Sequence, residues 1–288
     1  MLSVYFQALR PWQWMKNVLI FVPYFLTLGL KTIPLNMLII TFILFSFFVS
    51  GTYILNDIRD IENDKYHPQK KLRPIASGLI SIKNARVYAF VLLILSTFIQ
   101  SIINLNSALF FLIYFLITSI YSIQLKYVNF FDSLSISILF CLRLVLGSVV
   151  SDIQATTELI VYVFFTSFFI SILKKNSIIN SNITSKNKFY LLLKKQNSKS
   201  KFQYTLFISG LFSNLSLNVW GLQFYSANNI NKNIAISLFM FFYLIFTINL
   251  VSNSKKGTLE DLVLGIVKNK FLNFLIFIQF ILFLYFYF

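Results

Sequence analysis

LNMLIITFILFSFFVSGTYIL, residues 35–55, runs without a charge straight into Asn56-Asp57-Ile58-Arg59-Asp60-Ile61-Glu62-Asn63-Asp64. The first part is long enough to cross a bilayer as a helix, which takes about 20 apolar residues. The second part concentrates Asp57, Asp60, Glu62 and Asp64 in a chain that has only nine Asp and Glu. If the helix continues through the window, the i, i+3, i+7 spacing of Asp57, Asp60 and Asp64 puts all three on one face, with Asn56 beside Asp60. Carboxylates so placed repel one another unless a cation joins them. An oxygen-only donor set of Asn56, Asp57, Asp60 and Asp64 suits Mg²⁺, which binds few carboxylates and completes its shell with water and substrate phosphates. The bland alternative is an interfacial helix whose acids balance nearby lysines.

Working outward, the rest of the chain has the same character as residues 35–55. Of its 288 residues 57% are hydrophobic, 35 are Phe and 12% are charged, and the mean hydropathy is +0.75; a soluble domain has about a quarter charged residues. The apolar runs are too long and too continuous for barrel strands, which alternate. This predicts an all-α polytopic membrane protein, one integral-membrane domain over residues 1–288, with about nine spans: 17–30, 35–55, 84–103, 107–123, 133–150, 158–173, 202–220, 233–251 and 270–288. The first is short and borrows from the Trp12/Trp14 segment, where Pro11 opens a short surface helix and Pro23 bends the chain. It lacks a small-residue cleavage site and reads as a retained span. Cys141 and His67 are single residues of their kinds, which excludes a disulfide framework and a His- or Cys-based metal cluster.

Of the 25 Lys and Arg, all but Lys31, Arg143 and Lys232 fall at the N-terminus, in alternate loops at about 56–83, 124–132, 174–201 and 252–269, or, for Arg86 and Lys270, in the first turn of the span that follows such a loop. The positive-inside rule makes these cytoplasmic and, with nine spans, puts the C-terminus outside. The net charge of +16 follows from that topology and from attraction to anionic lipid, with no nucleic acid involved. The 174–201 stretch is rich in Lys, Ser and Asn, the composition of a solvated loop. Asp152, Glu158, Asn229 and Lys232 on the other side give little to build on, so chemistry is expected at the cytoplasmic face.

Several further residues are candidates there. After the acids come His67-Pro68-Gln69-Lys70-Lys71-Leu72-Arg73-Pro74-Ile75-Ala76-Ser77-Gly78, bases followed by a turn, and Lys70, Lys71 and Arg73 suit phosphate oxygens. Tyr121, Lys126 and Asp132 cluster on the next loop, although Asp132 at a helix start has an ordinary dipole role. Arg143 lies eleven residues further on in the same span, about 16 Å deep. An arginine at that depth marks an ion pair or a substrate cavity. Lys174 and Lys175 end the sixth span, where cations also suit a helix C-terminus. Glu260 and Asp261 read as structural partners of Lys255 and Lys256.

These segments resemble the UbiA superfamily of intramembrane prenyltransferases. Asn56-Asp57-x-x-Asp60-x-x-x-Asp64 resembles its first acidic motif, and nine helices around a central cavity is its fold. Arg10-Pro11-Trp12-Gln13-Trp14-x-Lys16-Asn17, Arg73-Pro74-Ile75-Ala76-Ser77-Gly78, Tyr121-Ser122-x-x-Leu125-Lys126, and Asp132 with Arg143 and Gly147 bring it nearest to the phosphoribosyl-diphosphate:polyprenyl-phosphate branch, that of decaprenyl-phosphate phosphoribosyltransferase. The likeness covers 1–175 and is faint beyond. It implies a Mg²⁺-dependent transfer of 5-phosphoribose to a polyprenyl phosphate at a bacterial plasma membrane, for cell-envelope polysaccharide precursors. By that resemblance Asp57, Asp60, Asp64, Asp132 and Arg143 are catalytic, and Lys16, Asn17, Lys70, Arg73, Tyr121, Lys126 and Lys174 bind substrate. Many superfamily members carry a second acidic motif after the sixth span; here that loop opens on Lys174-Lys175 and holds no acid as far as Lys201. An aromatic prenyltransferase of the same fold, which that second motif would favour, is one alternative. A non-enzymatic carrier is another, although carriers often show internal repeats and no clear repeat is present.

Overall fold

The computed structural model describes residues 2–26, 35–66, 70–128, 130–180, 199–226, 229–255 and 268–287, and these are helical with no strand among them. They form two compact units, one up to Ala155 and one from Thr156 onward. The first unit opens with α1 (Leu2–Leu9), a 3₁₀ helix (Pro11–Phe21) and α2 (Val22–Phe25). It continues with α3 (Leu35–Arg59), α4 (Ile61–Lys65), α5 (Ile82–Ile103), α6 (Leu105–Ile123) and α7 (Phe131–Ser151). The second holds α8 (Thr157–Asn180), α9 (Lys199–Leu222), α10 (Ile230–Lys255) and α11 (Lys270–Tyr287).

Seven of these, α3, α5, α6, α7, α8, α10 and α11, are long and apolar enough to cross a membrane. This is an all-α integral membrane protein. The expected seventh span, 202–220, is helical within α9, but Ser209, Ser213, Asn214, Ser216 and Asn218 make α9 the least apolar of the long helices. The first expected span, 17–30, departs more. Its described part is 3₁₀ helix to Phe21 and then α2, and residues 27–34 lie outside the description. The expected count of nine therefore stands at seven among the described residues.

An eleven-residue 3₁₀ helix is unusual, since such runs seldom exceed a turn or so without support from outside. Pro11 stands at its first turn, and its three-residue period explains the rest. Side chains at i and i+3 eclipse, so one ridge carries Trp14, Asn17 and Ile20, and another Trp12, Met15 and Val18. The first ridge faces the bundle: Trp14 Nε1 donates to Ser50 Oγ at 3.0 Å, Asn17 Nδ2 donates to Ser46 Oγ at 3.0 Å, and Ile20 is fully buried. The second ridge is exposed. Ile20 lies hard against α7 at Gly147, where an added Cβ would stand 2.0 Å from the Ile20 carbonyl oxygen. Only a residue without a side chain permits that approach.

The core of this unit is a knot of Ile20, Phe45, Phe48, Phe111, Tyr114 and Leu146. Asn104 alone joins α5 to α6: it terminates one helix and its side chain accepts from the Ser107 amide at 2.9 Å at the start of the other. Such capping makes a one-residue helical hairpin possible. Near the acidic window, Ala8 of α1 packs with Ile54, Ile75, Ile80, Ala85 and Ala89, which ties the N-terminus to the end of α3.

Candidate active site

The acids stand where α3 ends. α3 stops at Arg59, Asp60 is a turn residue (φ −91°, ψ 6°), and α4 takes over at Ile61. The expected unbroken helix is thus interrupted, yet the hydrogen-bond path carries on across the break. The Asp60 amide donates to the Asn56 carbonyl at 2.9 Å and the Asp64 amide to the Asp60 carbonyl at 2.8 Å. Asp57, Asp60 and Asp64 are all buried, at 4%, 8% and 2% exposure.

Three buried carboxylates without counterions would cost several kcal/mol each. Cations from three other segments meet them. Arg10 Nη2 donates to both oxygens of Asp57. Arg73 Nη1 bridges Asp64 Oδ2 at 2.6 Å and Asp57 Oδ1 at 3.1 Å. Lys126 Nζ donates to both oxygens of Asp60 at 2.6 and 2.5 Å. Burial still pushes the Asp64 carboxyl above its usual range, against the opposing pull of Arg73 and Lys70.

Local structure aims each cation. Arg10 has a left-handed backbone (φ 55°) immediately before Pro11, at the corner between α1 and the 3₁₀ helix. Arg73 opens a turn in which the Ser77 amide and hydroxyl both return to its carbonyl, at 2.9 and 2.8 Å, and Gly78 takes φ 81°, a conformation that suits glycine. Lys126 sits on the 3₁₀ turn Leu125–Tyr127 that follows α6.

Could these residues hold Mg²⁺? The donor chemistry fits: hard oxygens, buried, beside Asn56, whose Oδ1 is buried with no hydrogen-bond partner while its Nδ2 donates to Asp60 Oδ2 at 3.3 Å. The expected convergence of carboxylates does not appear. Among the described residues no three acids, His or Cys gather in a way that could hold a metal, because each carboxylate is turned onto a guanidinium or ammonium.

Arg143 is buried as depth predicted, at 2% exposure, and its protein partners among the described residues are neutral. Nε donates to Asn17 Oδ1 at 2.9 Å, Nη2 to the Tyr114 hydroxyl at 2.7 Å and Nη1 to the Leu139 carbonyl at 2.6 Å. The guanidinium also lies 5.0 Å from the Tyr114 ring centre and 5.1 Å from that of Phe140. Neutral acceptors and aromatic faces suffice to bury this weakly hydrated cation. Asn17, expected at the substrate, is used here between Arg143 and Ser46.

The remaining candidates stand on several elements. Lys16 is exposed on the 3₁₀ helix, Lys70 is half-buried and close enough to act on Asp64, and Tyr121 is half-buried near the end of α6. Asp132 is buried in the first turn of α7. Lys174 and Lys175 do not end a helix, since α8 runs on to Asn180; Lys174 is exposed and Lys175 is buried at 5%. His67, Pro68 and Gln69, most of the 174–201 loop, and Lys256, Glu260 and Asp261 lie outside the described residues. The residue that sequence reading quoted but gave no role is Arg10. The sign was there: a base before a proline, beside two interfacial tryptophans, is held at a fixed corner.

Comparison with known proteins agrees with this architecture. Decaprenyl-phosphate phosphoribosyltransferase of Mycobacterium tuberculosis is 30% identical over 168 residues, 57% of this chain and 56% of that protein. The enzyme of the same name from Corynebacterium glutamicum is 33% identical over 171 residues, 57% of this chain and 51% of that protein. The chain thus spans about half the length of these curated relatives. A UbiA homologue from Archaeoglobus fulgidus, solved with DMAPP and Mg²⁺, superposes with a TM-score of 0.72 at 18% identity, covering 98% of this chain and 97% of that one, which is a likeness of fold. The family model described as the UbiA prenyltransferase family matches residues 18–256, and the chain belongs to that family.

Proposed function

We propose that this chain transfers 5-phosphoribose from 5-phosphoribosyl diphosphate to a polyprenyl phosphate, releasing diphosphate, in the supply of cell-envelope polysaccharide precursors. The observation that carries the reading is the buried cluster at the end of α3. Asp57, Asp60 and Asp64 are interleaved with Arg10, Arg73 and Lys126, a set of groups suited to an anionic, metal-bound diphosphate. The phosphoribosyltransferase relatives support the choice of donor. The sorting of Lys and Arg along the chain supports a cytoplasmic site.

The chemistry asks little of a protein nucleophile. The bond from ribose C1 to the diphosphate oxygen breaks and its electron pair leaves with diphosphate; an oxygen of the acceptor phosphate forms the new bond to C1. That phosphate is already ionised, so no general base is needed. Asp57, Asp60, Asp64 and Asn56 would hold Mg²⁺, which would supply charge neutralisation for the leaving group. Arg73 and Lys126, already fixed beside the carboxylates, place positive charge where the diphosphate builds up negative charge, the kind of preorganised stabilisation that dominates such reactions. Lys70 and Lys16 extend the positive field toward the 5-phosphate or the acceptor. Arg143 acts at one remove, by holding Asn17 and with it the 3₁₀ segment that begins beside Arg10.

The test uses membranes containing the full chain, labelled 5-phosphoribosyl diphosphate, polyprenyl phosphate and Mg²⁺. Label should appear in a lipid-linked phosphoribose. A parallel arm with geranyl or longer isoprenyl diphosphates and 4-hydroxybenzoate should stay silent. Prenylated product there, with none in the first arm, would reassign the donor.

A further inference from the structure

We propose that Arg10 is a placeholder: it occupies Asp57 in the unloaded enzyme, keeps the divalent cation out until donor arrives, and then passes to a donor phosphate oxygen. The proposal rests on the phosphoribosyl-diphosphate reading of the site and adds its order of loading.

The charges motivate it. Asp57, Asp60 and Asp64 are matched by Arg10, Arg73 and Lys126, with Lys70 also close enough to act on Asp64, so these groups together carry no excess negative charge. A bare divalent ion has no excess negative charge to enter. Both oxygens of Asp57 are claimed by Arg10, and one again by Arg73; both oxygens of Asp60 are claimed by Lys126. A donor that brings its own phosphates changes that balance, since it supplies acceptors for the displaced cations and ligands for the metal together.

Arg10 differs from the other two cations in its setting. Arg73 is shared between two carboxylates and fixed by its own turn. Among the described residues the Arg10 side chain donates to Asp57 and to no second carboxylate, and Arg10 sits at a left-handed corner of the backbone, a conformation that strains a non-glycine residue. The guanidinium lies over the Tyr53 ring at 5.7 Å, a face on which it can pivot without losing its cation–π contact. Position and strain single out Arg10 as the group that moves.

Binding of Mn²⁺ alone, measured by calorimetry or electron paramagnetic resonance on purified full-length protein without donor, tests this. Arg10→Gln should bind Mn²⁺ about tenfold more tightly than wild type, because one positive charge within a few ångströms of the ion is gone. The same variant should need several-fold more phosphoribosyl diphosphate to saturate. Arg10→Lys should fall between. A merely structural arginine would give weaker binding of both ligands or no change, and either result in folded Arg10→Gln and Arg10→Lys overturns the placeholder. Asp57→Asn placed in the Arg10→Gln background, where the arginine no longer covers that carboxylate, separates the two ideas: if the double variant binds Mn²⁺ as tightly as Arg10→Gln, the metal assignment fails whatever Arg10 does.

Discussion

The two compact units bury polarity in different ways. Up to Ala155 the chain buries formal charge: three aspartates against Arg10, Arg73 and Lys126, and Arg143 among neutral acceptors. From Thr156 onward the buried cation Lys175 stands on α8, and helices α8, α9 and α10 meet through hydroxyls and amides. Thr166 and Tyr243 share Ser213 at 3.1 and 2.7 Å, Asn214 donates to Thr247 at 3.1 Å, and Asn176 donates to Ser254 at 2.9 Å. Interhelical hydrogen bonds of this neutral kind are each worth about 0.6 kcal/mol in a membrane. Buried ions are dear to assemble and dear to break. Among the described residues, buried ion pairs are therefore a feature of the first unit, and the second relies mainly on neutral polar contacts between helices.

Substitutions can break that contrast. The largest effect is expected at the acids. Asp60→Asn or Asp64→Asn should lower turnover at least about a hundredfold, about 2.7 kcal/mol of barrier, while detergent-solubilised protein keeps its helical circular dichroism. Near wild-type turnover in both would remove the electrostatic role of the first unit.

Gly147→Ala comes next. Its Cβ would stand 2.0 Å from the Ile20 carbonyl oxygen, so the 3₁₀ helix must shift, at about 1–3 kcal/mol for overpacking. A fall in the thermal midpoint together with weaker donor binding would tie the 3₁₀ segment to the site; a fall in midpoint alone would make it scaffolding.

Arg143 allows a sharper test. Arg143→Lys keeps the charge but loses the planar fork that reaches Asn17, Tyr114 and Leu139, and should cost about 1–2 kcal/mol of stability. Arg143→Met, which removes the buried charge along with the bonds, should cost less than the lysine variant. The reverse order, read from thermal unfolding, would mean that charge at this position is itself stabilising.

Smallest of all is Ser213→Ala in the second unit, expected to cost about 0.6 kcal/mol with turnover unchanged. A loss of activity there would show that the neutral ladder is more than glue.

Much of this was legible residue by residue. Asp57, Asp60 and Asp64 are all buried, and Arg73 bridges Asp57 and Asp64, but the helix breaks at Asp60, which pairs with Lys126 instead. Arg143 is buried as its depth required. Its partners were not legible, because a burial cost says that an arginine must be satisfied and not by what; Tyr114 and Leu139 look like ordinary members of apolar runs. Arg10 was hidden for the same reason, as one cation among many near a membrane surface. The end of α8 was misplaced because Lys174-Lys175 looks like a stop, whereas Lys175 is buried and the helix continues to Asn180.

The amino-acid sequence by itself determined the membrane character, the helical class and the acidic window, since hydropathy and i, i+3, i+7 spacing are properties of neighbouring residues. Tertiary structure alone decided the pairing. Arg10 reaches Asp57 across 47 residues, Lys126 reaches Asp60 across 66, and Arg143 reaches Asn17 across 126. It also decided that Pro11–Phe21 winds as a 3₁₀ helix, because that path is held by Ser46, Ser50, Arg143 and the missing side chain of Gly147. The strength of an ion pair depends on where burial brings the charges, and the local pattern of a chain does not contain that information.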